Sequence, residues 1–210
     1  METLLGFFTF DKTIEILGLL IGLLYLYWEY HADTKMWFAN IAMPILSFWV
    51  YYRAGIYADF MLNIYYFIIA VYGYLCWKGF IKSRNVKKNS TLQISHIPAK
   101  RLLFCFIIFG LIYSGIAYWL INFTDSTVSY WDALNTSLSI VAMWMLAKKY
   151  IEQWIAWIIV DIISVGLYFY KDRVFYGVLY TIYVVVAVFG YFKWKKLMLA
   201  QSNNQIELPK

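Results

Sequence analysis

A chain of 210 residues that is 63% apolar and 22% aromatic, with charged side chains at only 14% of positions, falls far below the roughly 25% charge of an ordinary soluble domain. Its net charge of +6 is sorted by side along the chain rather than gathered on one module, which argues for a membrane and against a nucleic-acid partner. Cys76 and Cys105 stand singly inside apolar runs and read as packing residues without a disulfide, while His31 and His96 lie too far from other ligand types to suggest a metal.

The first ten residues, METLLGFFTF, have no basic start and no small-residue cleavage site, so no signal peptide is expected and the stretch is placed on the membrane surface. Apolar runs then recur at 13–29, 36–53, 57–77, 102–122, 131–148, 150–170 and 174–194. Each approaches the roughly 20 residues that a helix needs to cross a bilayer. The period-two alternation of a transmembrane barrel is absent, so the expected fold class is an all-α integral membrane protein, with residues 1–210 forming one polytopic domain.

Charge orients the spans. The segment KGFIKSRNVKKNSTLQISHIPAKR after the third span holds seven Lys and Arg, and the next connection, NFTDSTVSYWD, holds none. With the basic segment inside, fourteen Lys and Arg fall on the inner side and four, Lys12, Arg53, Lys171 and Arg173, on the outer. The N-terminus is then outside, the C-terminal tail (197–210) is cytoplasmic, and residues 78–101 rest on anionic headgroups.

An internal repeat underlies the spans. Residues 37–79 laid over 154–196, an offset of 117, match at fourteen of forty-three positions, including Trp37 with Trp154, Tyr66 with Tyr183, and Gly73, Tyr74, Trp77, Lys78 with Gly190, Tyr191, Trp194, Lys195. The expected plan is 3+1+3: a first three-helix repeat (13–79), a basic loop (80–101), a connector (102–122) and a second repeat (130–196). The odd connector makes the two repeats parallel, and such duplications are a transporter signature, with a site expected between them at mid-membrane.

Asp161 falls at that depth. Trp154, Trp157, Asp161, Ser164 and Tyr168 share one helix face amid Ile, Val and Leu. A mid-membrane carboxylate requires a cation, a partner or water. The bland alternative is that the tryptophans anchor at the interface and the polar groups close helix contacts. In the first repeat the matching stripe is Trp37, Asn40, Pro44, Ser47 and Tyr51. Asn63, Asn135 and Tyr183 lie within other spans and complete the candidate substrate-binding set. No nucleophile with a base, acid-base pair or metal set accompanies them, so the expectation is not an enzyme. A structural membrane subunit would leave the duplicated polar stripe without a role.

The run W-x-x-W-x-x-x-D-x-x-S-x-x-x-Y (154–168), the ends YGYLCW (72–77) and FGYFKW (189–194), and SIVAMWMLAKK (139–149) resemble the PnuC family of bacterial vitamin transporters over nearly the whole chain. The resemblance implies facilitated uptake of nicotinamide riboside, or of thiamine or riboflavin in related branches, followed by trapping through a cytoplasmic kinase. It places Trp154, Trp157 and Asp161 in the binding site. It requires no cofactor and leaves homo-oligomerisation open. Met143 and Asn63 stand where members of that family often carry Gln, which bears on the choice of substrate.

Overall fold

A backbone in hydrocarbon has no water to bond with, so apolar runs of this length satisfy their own N–H and C=O groups as helices. The computed structural model describes residues 10–54, 57–81 and 92–206, with side chains at 20–45, 62–81 and 92–203. Among these residues it forms seven helices: α1 (Phe10–Tyr30), α2 (Met36–Ala54), α3 (Tyr57–Trp77), α4 (Ala99–Phe123), α5 (Ser129–Ala147), α6 (Gln153–Tyr170) and α7 (Val174–Ile206). The METLLGFFTF segment before Phe10 and most of the basic loop lie outside the described residues.

Two features depart from the boundaries expected from sequence. The last helix does not stop where its apolar run ends but continues through Lys195 to Ile206, because Lys, Leu, Met, Ala and Gln there are strong helix formers that need no buried face. The loop expected to run to residue 101 ends earlier, since α4 starts at Ala99 behind Pro98, whose fixed φ suits a helix entrance.

The chain divides into two units, residues 1–91 and 92–210. In the first, α1 packs on α2 and α2 on α3; in the second, α4 packs on α5, α5 on α6 and α6 on α7. Among the described residues, Ala99–Phe123, Gln153–Tyr170 and Val174–Asn203 are long and apolar enough to cross a membrane. Leu103, Phe104, Phe106, Ile107 and Leu111 of α4 are all exposed, a surface suited to lipid rather than water. The chain is a multi-pass membrane protein.

The helix ends carry a recurring motif. Ala32 and Lys149 take left-handed φ values of 53° and 59°, and around each the chain closes with the same bonds: Ala32 N to Glu29 O and Asp33 N to Trp28 O, both 2.9 Å, against Lys149 N to Leu146 O at 2.9 Å and Tyr150 N to Met145 O at 3.0 Å. These are Schellman closures with a side chain where glycine is usual. The two lie 117 residues apart, as do the starts of α2 and α6, Met36 and Gln153, and the starts of α3 and α7, Tyr57 and Val174.

The turn between α5 and α6 is braced by an extended segment. Ser95 N–H donates to Lys149 O at 3.2 Å and Ile151 N–H donates to Ser95 O at 3.1 Å. Glu152 accepts from the Ile97 N–H at 3.0 Å and meets His96 Nδ1 at 2.7 Å, while Ile94 N–H reaches the Gln201 side chain on the extended end of α7 at 3.1 Å. Ile97, Cys105, Val141, Met145 and Tyr150 form an apolar cluster beneath. Cys76 and Cys105 are both buried, and neither forms a disulfide.

Candidate functional site

The polar face of α6 is where the second unit concentrates its chemistry. Asp161 is 6% exposed and sits on α6, which packs against the helix that carries Tyr180 and Tyr183, α7. One turn on, the Asn135 side chain of α5 donates from Nδ2 to Ser164 Oγ at 3.1 Å, and Ser137 and Ser139 bond back to their own helix. Buried polar atoms in a membrane are tolerated when bonded in this way.

Above Asp161 the face becomes aromatic. Tyr168 stacks on Tyr176 at 5.3 Å and on Tyr180 at 5.1 Å, and Tyr180 meets Tyr183 edge-on at 5.5 Å. Tyr176 and Tyr180 were not among the residues picked from sequence. Their signal was present: Tyr176, Tyr180 and Tyr183 recur at i, i+4 and i+7 and so share one side of α7.

Below Asp161, Trp157 is half-buried with its indole N–H buried and without a hydrogen-bond partner among the described residues. An indole N–H can only donate, and leaving a buried donor unmade costs on the order of 1–3 kcal/mol. Trp154 is placed differently. It is 1% exposed, its ring lies edge-on against Trp194 at 5.7 Å, and a Cβ on Gly190 would come within 2.6 Å of it. The ring expected to stack on a ligand is thus enclosed by α7, because Gly190 leaves a slot that the indole fills.

The first unit repeats this lock. Trp37 is fully buried, meets Trp77 edge-on at 5.6 Å, and would stand 2.2 Å from a Cβ on Gly73. Asn40, at the position matching Trp157, has a buried Nδ2 with no hydrogen-bond partner among the described residues. Pro44, matching Asp161, is buried inside α2 and has no N–H to give to the Asn40 carbonyl. Asn63 is half-buried on α3 and has an interaction of its own. The side chains of Ser47 and Tyr51 lie outside the described residues.

A cavity of about 790 Å³ opens on the other face of α6, lined by Ile121, Ser129, Trp131, Ile162, Gly166 and Tyr170 among others. None of its lining residues is charged, so it offers a cation aromatic faces but no counter-charge. Among the described residues no group of three or more His, Cys, Asp or Glu could hold a metal.

A buried carboxyl group, a stacked tyrosine ladder and a half-buried indole are the kinds of group that recognise an aromatic cation. The family model described as nicotinamide mononucleotide transporter matches residues 12–196. The chain belongs to this family, the PnuC transporters. The nicotinamide riboside transporter PnuC of Escherichia coli K12 is 23% identical over 206 residues, spanning 86% of this chain and 84% of the relative. A riboflavin/roseoflavin transporter, RibM of Streptomyces davaonensis, is 38% identical over 56 residues, 27% of this chain and 26% of the relative. The crystal structure of the vitamin B3 transporter PnuC aligns with a TM-score of 0.68 at 20% identity, covering 94% of this chain and 87% of that one, which establishes a shared fold.

Proposed function

We propose that this protein carries a cationic aromatic B-vitamin or vitamin precursor, nicotinamide riboside before others, across the bacterial inner membrane by facilitated diffusion, with a cytoplasmic kinase trapping the product. The observation that carries the reading is Asp161: a buried mid-helix carboxyl group, one turn from Trp157, whose indole N–H has no partner among the described residues, and two turns from Tyr168, which stacks on Tyr176 and Tyr180. The substrate-binding set is Trp157, Asp161, Asn135, Ser164, Tyr168 and Tyr183, with Tyr180 added, and the same role is assigned to Asn40 and Asn63 in the first unit. Trp154 is assigned to positioning α6 against α7 through Gly190 and Trp194.

The scaffold reads as 3+1+3, with α1–α3 and α5–α7 as parallel repeats and α4 as connector, supported by helix starts, turn bonds and tryptophan locks that coincide at one offset. The N-terminus is assigned outside and the C-terminus inside. A cysteine introduced at position 88 should react with an impermeant maleimide in inverted vesicles only, and reaction in intact cells would reverse the assignment.

Thiamine is the second reading, because Asp161 suits any cationic aromatic and Met143 and Asn63 depart from the resemblance to nicotinamide riboside carriers. Riboflavin, which is neutral, gives Asp161 no charge to meet. Saturable uptake of labelled nicotinamide riboside, thiamine and riboflavin into proteoliposomes ranks the three. Transport of riboflavin alone, or of none, would refute the cation reading.

A further inference from the structure

Gln153 opens α6, one turn before Trp157 and two before Asp161, so the three lie on one side of the helix. Its side chain is 0% exposed, yet both Oε1 and Nε2 are buried without a hydrogen-bond partner among the described residues. The groups that brace the turn are engaged elsewhere: Glu152 with His96 and the Ile97 N–H, Ile151 N–H with Ser95. Packing alone does not demand an amide here. Met36 occupies the position 117 residues earlier, starts α2 as Gln153 starts α6, and is likewise 0% exposed. The fold fills this place once with an apolar side chain of similar size.

A primary amide offers one donor end and one acceptor end in a plane. Its complement is a planar ligand edge with one acceptor and one donor side by side, as in a ring carboxamide or an aminopyrimidine. We propose that Gln153 is a specificity-determining residue of the transport site that pairs through both ends with such an edge while Trp157 and Asp161 meet the ring and its charge. This rests on the vitamin-transporter reading above.

Three ligands of equal charge isolate the contact: nicotinamide riboside, with donor and acceptor on its carboxamide; 3-acetylpyridine riboside, with the acceptor alone; and unsubstituted pyridine riboside, with neither. Affinities are measured on the purified full-length protein for wild type, Gln153→Met and Gln153→Leu, with thermal melting as the check on folding. The wild type should favour the carboxamide over the ketone by about tenfold or more, as a site built around a hydrogen bond rejects a ligand that lacks it. Gln153→Met should erase that preference and leave pyridine riboside within about twofold of its wild-type affinity. A preference retained in both folded variants, or equal loss for all three ligands, would overturn the proposal. If the wild type binds none of the three but binds thiamine, the comparison is made with thiamine and oxythiamine, in which a carbonyl replaces the amino group. If it binds no vitamin, the transporter reading itself fails and this inference with it.

Discussion

Two tryptophans three residues apart separate into different tasks once their surroundings are known. Both indole N–H groups are buried without a hydrogen-bond partner among the described residues; what separates the two is enclosure, since Trp157 is half-buried whereas the Trp154 ring is sealed in by Gly190 and Trp194. We expect Trp157→Ala to weaken substrate binding by about 1–2 kcal/mol, the range of a desolvated cation–π contact, with melting little changed. Trp154→Ala should instead lower the melting temperature, since a large buried aromatic removed from a packed helix contact costs about 3–5 kcal/mol. Calorimetric titration and melting curves on both variants check the split, and the reverse pattern would exchange the two roles. Asp161 separates charge from packing: Asp161→Asn should lose far more affinity for nicotinamide riboside than for its neutral dihydropyridine form, because only the cation loses a charge partner. Equal losses would reduce Asp161 to a helix-packing acceptor.

At the scale of the helix, the α1 end shows how a turn is fixed by bonds rather than by glycine. Ala32 adopts φ 53°, where a Cβ costs roughly 1–2 kcal/mol, and the Schellman bonds to Glu29 and Trp28 hold it there. Ala32→Gly should therefore raise stability by about 0.5–1 kcal/mol after the greater freedom of an unfolded glycine is subtracted. Chemical denaturation in detergent, or a shifted melting temperature, measures it. A destabilised variant would mean that the Ala32 methyl packs usefully. The helices themselves were legible in sequence, because an apolar run bounded by polar residues has one solution in a bilayer. The extension of α7 to Ile206 was not, since the hydrophobic signal ends before the helical propensity does. The Asn135 to Ser164 bond and the tyrosine ladder were half legible: each residue sits at helical spacing, but sequence cannot tell which neighbouring helix its side chain meets. The Trp154 slot needed Gly190, whose match to Gly73 was visible while its contact was not.

At the scale of the whole molecule, the proposed uniport of a cation makes the membrane potential part of the mechanism. Moving one positive charge inward across an inside-negative membrane is favoured by about 2.3 kcal/mol per 100 mV, which corresponds to roughly fiftyfold accumulation at equilibrium. Within the second unit, the other carboxylates of α5, α6 and the turn between them are engaged away from Asp161: Glu152 is held by His96 and Ile97 at the α5–α6 turn, and Asp132 is paired with Lys171 at 3.1 Å. Proteoliposomes with potassium gradients and valinomycin should therefore take up nicotinamide riboside to a level set by the clamped potential and indifferent to sodium or proton gradients. At zero potential the internal and external concentrations should equalise, and adding an enclosed kinase with ATP should restore net uptake. Accumulation that followed a proton gradient at zero potential would make Asp161 a coupling site, and Asp161→Asn would then abolish accumulation while sparing downhill exchange. Uptake insensitive to the potential would show that the transported species is neutral, and would move the substrate towards the flavin end of the family.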